Sequence, residues 1–189
     1  TYSTIVSATQ NFSVSLWFKT SATSRVDPFG ALREGGANDP RIIIYTNVVE
    51  GKIGFQILGD GGTQLSTSGS TTINDGGWHH AVLIVTPTTQ KLYIDNSLEI
   101  NGTTNTGTIT LTDTAFFIGN INARNIVGGT GFLGVIDEVA IFTDLNSTSV
   151  TDLYNSGNCL PYSEEGEISV SLISPSNNTQ SNDDPLTFT

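Results

Sequence analysis

Few residues in this sequence are able to do chemistry. His79 and His80 are adjacent. On a β-strand, successive side chains point to opposite faces, so the pair cannot chelate one ion together. One is expected as a core histidine and the other as a surface or inter-sheet contact. Cys159 is the sole cysteine. It supports no internal disulfide and no thiolate metal site, and with no positioned base it is a poor nucleophile. It suits a half-cystine whose partner lies beyond the chain end. Asp137 is the most informative acid. In strict alternation it shares a face with Leu133, Val135, Val139 and Ile141. A carboxylate on an apolar face must be paired, hydrogen-bonded or metal-bound. The alternatives are a bulge that turns Asp137 outward, or hydrogen bonds to backbone amides. Glu138 falls on the opposite face and is expected in solvent.

Asp60, Asp39 and Asn38 lie in Gly-rich loops. A calcium site at a loop rim draws on such residues, and so does ordinary turn formation. No D-x-[DN]-x-[DN]-G string is present, which excludes an EF-hand. Glycoside hydrolysis requires two carboxylates about 5–5.5 or 6.5–9.5 Å apart. Asp95 and Glu99 straddle a hairpin turn and do not suggest such a pair.

These side chains must be positioned by a chain of 189 residues and 20.0 kDa, enough for one domain or one domain plus a fragment. Charged residues are 13% of it, against roughly 25% in a typical soluble domain, and apolar residues suffice for a core. The net charge of −11, with 7 Lys and Arg scattered among 18 Asp and Glu, repels nucleic acid and anionic membrane surfaces. It suits a divalent cation, a neutral polymer or simple solubility. No apolar run approaches the roughly 18 residues a membrane-spanning helix needs. Without Met at position 1 or a visible signal peptide, the chain reads as a mature product or a piece of a longer reading frame.

Short β-runs between turns dominate. Phe12, Val14, Leu16 and Phe18 alternate with Ser13, Ser15, Trp17 and Lys19. Ile42 to Tyr45 is a buried β-branched run, and Ile53, Phe55 and Ile57 alternate with polar or small residues. After the turn at Asn74 to Gly77, the run Trp78 to Thr86 is apolar on both faces and predicts a central strand. Leu92 to Asp95 and Leu98 to Ile100 flank a hairpin turn at Asp95-Asn96-Ser97. Ala115 to Gly119 and Phe132 to Phe142 are further strands. Asn146 to Gly157 predicts one short helix, capped by Asn146, with Val150, Leu153 and Tyr154 inward and Gly157 ending it in the left-handed conformation. It is expected over one end of the fold. The pattern predicts an all-β, antiparallel two-sheet jelly-roll sandwich. The domain is expected over residues 1–162, followed by an acidic linker at 163–167 and a β segment at 168–189.

Five strings in order and spacing carry a family resemblance: Phe12–Lys19 (FSVSLWFK), Gly77–Val82 (GWHHAV), Lys91–Asp95 (KLYID), Gly134–Phe142 (GVIDEVAIF) and Leu153–Gly157 (LYNSG). Together they resemble the laminin G-like, concanavalin A-like lectin/glucanase superfamily over about residues 5 to 160. The resemblance implies an extracellular jelly roll that binds glycans or proteins, often with calcium. It implies Asp137 as the side-chain ligand of a structural calcium, and core positions for Trp17 and Trp78. Its glucanase branch carries a Glu-x-Asp-x-x-Glu strand, which is absent here, so no enzymatic activity is expected. The resemblance also implies an opening strand before the segment matching Thr1 to Gln10, which is expected to be absent here, and Val170 to Ser176 looks like the first strand of an immunoglobulin-like repeat. The open edge is expected to pair with the chain's own tail or with a neighbouring molecule.

Binding is expected in the polar loops, at Arg33, Asn38 and Asp39 and at Asn120, Asn122 and Arg124, with Tyr45 and Tyr93 as candidate surface rings. The four sequons, at Asn11, Asn101, Asn146 and Asn177, are as many as composition gives by chance. The expected function is a non-catalytic adhesion or lectin-like module of a larger secreted or cell-surface protein, binding glycan or extracellular protein. The alternatives are a ligand-free structural spacer and a glycoside hydrolase or lyase.

Overall fold

A computed structural model describes residues 11–158, except 34–39, 48, 61–63, 87, 105–106, 108, 111–113, 120–130 and 144. Among the described residues the chain forms β1 (Phe12–Lys19), β2 (Val26–Arg33), β3 (Arg41–Thr46), β4 (Ile53–Leu58), β5 (Gln64–Ser68), β6 (Trp78–Val85), β7 (Gln90–Ile94), β8 (Ser97–Gly102), β9 (Thr114–Ile118), β10 (Val135–Phe142) and helix α1 (Ser147–Tyr154). The strands make two five-stranded antiparallel sheets, ordered β10-β1-β6-β7-β8 and β5-β4-β3-β2-β9. This is the expected jelly-roll sandwich, with β6 at the centre of its sheet. No helix among the described residues is long and apolar enough to cross a membrane.

The period-two stripes close the core. Phe12, Val14, Leu16 and Phe18 from β1 meet Phe29, Ile42, Ile44, Ile53, Phe55 and Ile57 from the facing sheet, all within 2% of full burial. Two strands went unread in the sequence. β2 holds Pro28, which ordinarily speaks against a strand; its pairing with β3 shifts register between Val26 and Phe29, and the Pro28 carbonyl accepts from Gly119 N instead. β5 is a polar edge strand with Leu65 its only apolar residue, so it carries no alternation to read.

Glu99 ties the two sheets. From a register shift in β8 its carboxylate accepts hydrogen bonds from Ser70 N, Thr71 N and the Thr71 hydroxyl, just past β5. Glu99→Ala is expected to cost about 1.5 kcal/mol, the low end for a charged acceptor because Ser70 is exposed. Urea unfolding measures it, and a loss below about 0.5 kcal/mol would contradict the tie.

Asn146 caps α1 as expected, its Oδ1 accepting from Thr148 N at 2.9 Å and Ser149 N at 3.0 Å. The helix departs from expectation in two ways. It ends at Tyr154, with Asn155 in the left-handed conformation ahead of Gly157. It also lies on the outer face of the β10–β8 sheet, not over an end. Val150 packs there with Val82, Ile84 and Tyr93, because β6 is apolar on both faces and its outer side needs a cover.

Candidate binding site

The outer face of the β10–β8 sheet is built in rows across strands. In the helix-covered part, Trp17 is opposite both His80 on β6 and Asp137 on β10. Trp17 stacks on His80 at 4.9 Å between centroids and on Tyr154 of α1 at 5.9 Å, leaving it 2% exposed. The neighbouring row is Trp78, Lys19 and Val135, in register on β6, β1 and β10. None of the three is buried: Trp78 is 42% exposed, Val135 52%, and Lys19 lies in solvent, with Leu133 at 62% beside them. The family resemblance implied a core position for both tryptophans. It holds for Trp17 and fails for Trp78, the first residue of β6.

Asp137 also departs from strict alternation. Ser15 pairs with Ala140 and Trp17 with Asp137, so Leu16 alone stands opposite Glu138 and Val139. The extra residue is absorbed by Glu138 in the left-handed conformation (φ 47°), a bulge that reverses the phase of β10. Ile136, Val139 and Ile141 therefore pack on the core, while Val135 and Asp137 face out. Asp137 Oδ1 accepts from Glu138 N at 2.9 Å. Both alternatives raised by the sequence, the bulge and the amide bond, are realised together.

Gly134 lets β10 approach here. Its φ is +156°, and a Cβ on it would sit 2.0 Å from the Lys19 carbonyl oxygen, while Thr20 Oγ1 donates to Leu133 O at 2.6 Å. Gly134→Ala is expected to push the start of β10 off β1 and to lower the melting temperature by several degrees. An unchanged melting curve would contradict the close approach.

The two histidines take opposite faces, as expected. His80, 1% exposed beneath Tyr154, bonds Ser15 Oγ through Nε2 at 2.7 Å, and burial pushes its pKa down to about 4. His79 Nδ1 lies 2.8 Å from Asp95 Oδ2 and its Nε2 3.2 Å from Asp75 Oδ1. The hydrogen bond to Asp95 raises its pKa, against the opposing effect of burial. Carboxylates only accept, so satisfying both ring nitrogens requires the doubly protonated imidazolium. The Gly77 amide and then His79 hold Asp75 below the usual carboxylate range. Asp95 also accepts from His80 N at 2.9 Å. Asp75 and Asp95 thus have an imidazole between them, and Glu99 is spent on backbone amides.

The other sequence-derived candidates are dispersed. Asp60 accepts from Thr110 N at 3.1 Å and from its hydroxyl at 2.6 Å. Arg33 is the last residue of β2. Asn38, Asp39, Asn120, Asn122, Arg124, Cys159 and the 168–189 segment lie outside the described residues. Tyr45 and Tyr93 are not surface rings: Tyr45 is 2% exposed, its hydroxyl donating to Thr67 O and its ring under Arg25, and Tyr93 is covered by α1. Among the described residues no three His, Cys, Asp or Glu side chains are grouped to hold a metal. Calcium takes 6–8 oxygens, and the single, already hydrogen-bonded carboxylates at Asp137 and Asp60 do not make that set from side chains.

The family model for the concanavalin A-like lectin/glucanases superfamily, in its laminin G form, matches residues 1–149. The chain belongs to this superfamily. No curated protein sequence matches it. Solved structures of this fold agree with the architecture. Domain 4 of an extracellular arabinanase from Geobacillus stearothermophilus, in complex with arabinotriose, is 25% identical with a TM-score of 0.60, over 79% of this chain and 68% of that one. The LG4-5 domains of the mouse laminin alpha1 chain are 16% identical with a TM-score of 0.61, over 76% of this chain and 39% of that one. The carbohydrate-binding module CBM40 of a Ruminococcus gnavus sialidase, bound to alpha2,3 sialyllactose, is 16% identical with a TM-score of 0.60, over 77% and 83%. The chain therefore spans well under half of the laminin structure it matches. The exposed Trp78 row is the feature that sequence reasoning missed. The signal for it was the position of Trp78 at the strand's first residue, straight after Gly76-Gly77.

Proposed function

We propose that this chain is a non-catalytic carbohydrate-binding module of a larger extracellular protein, with its contact surface on the outer face of the β10–β8 sheet. The observation that carries this reading is Trp78, an indole 42% exposed in a sheet whose other outward aromatics are covered. An uncovered ring beside a few polar groups suits the apolar faces of a sugar. Superfamily membership and the glycan-bound relatives support the same reading. The non-catalytic reading is supported by the occupied carboxylates of Asp75 and Asp95, which clamp His79, and of Glu99, which accepts from backbone amides. Calorimetric titration against a glycan panel tests the proposal. Saturable binding without turnover supports it, turnover of any polysaccharide moves the chain to the glucanase branch, and no binding leaves the spacer reading. The family resemblance also implies a calcium at Asp137; an EDTA-induced fall in melting temperature that is absent in Asp137→Asn would support that ion and would count against a metal-free role for this carboxylate.

A further inference from the structure

Resting on that reading, we infer that the Trp78–Lys19–Val135 row with Asp137 is a subsite for a neutral glycan, about two sugar residues long, held without a metal. The length follows from the sheet. Trp78 and Val135 lie two strands apart in register with Lys19 between them, a span of about 9.6 Å at the usual strand spacing. That matches a disaccharide better than a single ring.

The class of ligand follows from the unused polar groups. The Lys19 side chain is exposed, and its ammonium makes no hydrogen bond or ion pair among the described residues. Asp137 is exposed, and its one hydrogen bond in the described structure goes to the adjacent amide of Glu138. The row therefore offers an apolar ring and an apolar Val135 for the faces of the sugars, a cationic donor between them, and an anionic acceptor one step along β10. A hydroxyl both donates and accepts, so neighbouring hydroxyls of a neutral sugar satisfy Lys19 and Asp137 together. An anionic sugar would satisfy Lys19 but set its charge against Asp137, on a chain of net charge −11. A cationic one would meet Lys19. Both mismatches favour the uncharged ligand.

The test is calorimetric titration of the full 189-residue chain in EDTA with neutral arabinotriose and cellotriose and with anionic sialyllactose and trigalacturonate. At least one neutral sugar is expected to bind, with affinity falling at least about tenfold in Trp78→Ala and about threefold or more in Lys19→Ala and in Asp137→Ala. Lys19 lies in solvent, so the melting curve of Lys19→Ala should overlay the parent's. Trp78 is 42% exposed and Asp137 bonds the Glu138 amide, so Trp78→Ala and Asp137→Ala are assayed well below their own melting temperatures, where a native circular dichroism spectrum separates lost binding from lost folding. Tighter binding of an anionic sugar that still depends on Trp78 would overturn the ligand class while leaving the carbohydrate-binding reading intact. Binding untouched by Trp78→Ala would overturn the subsite. A loss of binding in EDTA that calcium restores would overturn metal independence. No binding by any sugar, with or without calcium, would overturn both the subsite and the function proposed above.

Discussion

Replacing Phe18 by alanine is expected to cost about 3–5 kcal/mol of folding stability, a large share of the roughly 5–15 kcal/mol that a domain possesses. Phe18 is fully buried, sits edge-on to Phe132 at 6.3 Å between centroids and tilts over the His79 ring at 5.9 Å. It plugs the sandwich directly behind the Lys19–Trp78 row, being paired with His79 on β6 and Ile136 on β10. Truncation leaves a ring-sized cavity between the two sheets, where the close-packed core relaxes only in part to fill it. Phe18→Leu keeps most of the volume and should cost about 1–1.5 kcal/mol. Denaturant unfolding of both variants checks the pair. A loss below about 1 kcal/mol for Phe18→Ala would place that side chain outside the core.

The second large effect is on pH, and the two histidines oppose each other. His79 has a pKa raised above its ordinary 6.5 by Asp95. Its stabilisation is complete below about 6.5 and is lost as pH rises through the raised value. His80 has a pKa depressed by burial to about 4. Between about 6.5 and 4 the unfolded chain takes up a proton that the folded chain refuses, so acidification over that range removes up to about 3 kcal/mol. Asp75, held low by the Gly77 amide and His79, adds stability above its unfolded value near 3.9 and loses it as pH falls through its folded one. Stability should therefore peak near pH 6.5 and decline on both sides, more steeply toward acid. Asp95→Asn should flatten the alkaline limb, because the charge that holds the His79 proton is gone, and should leave most of the acid limb in place. Proton NMR titration of the two imidazoles checks the assignment directly. A His80 ring that titrates near 6.5 would contradict its burial under Tyr154.

Most of the architecture was legible because period-two alternation is a direct consequence of strand geometry. Phe12 to Phe18, Ile53 to Ile57 and the twice-apolar Trp78 to Thr86 named the core and the central strand without reference to any partner. The hairpin at Asp95-Asn96 was readable from turn chemistry, and both residues adopt the left-handed backbone that such turns require. What escaped depended on tertiary context. β2 needed a register shift to accommodate Pro28, and no local residue announces one. The β10 bulge falls on Glu138, where a glycine would have advertised a left-handed residue, so strict alternation put Asp137 on the wrong face. Trp78 was assigned to the core by family resemblance, whereas its exposure depends on where α1 stops covering the sheet, a long-range fact about a helix some seventy residues away. The site was therefore less legible than the fold. Side-chain type and spacing identified the chemistry available, but the row that presents it exists only once three strands from distant parts of the chain lie in register.

The most direct measurement of the central claim uses the fact that the chain holds only two tryptophans. With 5-fluorotryptophan incorporated, fluorine NMR should give two resonances, assigned by Trp17→Phe and Trp78→Phe. Only the Trp78 signal should show a solvent isotope shift and respond to a soluble paramagnet. On titration with whichever sugar the calorimetric panel identifies as a ligand, with arabinotriose tried first, the Trp78 resonance should move saturably while Trp17, buried against His80 and Tyr154, stays in place. A Trp78 signal shielded from solvent, or sugar binding that moves neither resonance, would contradict the account.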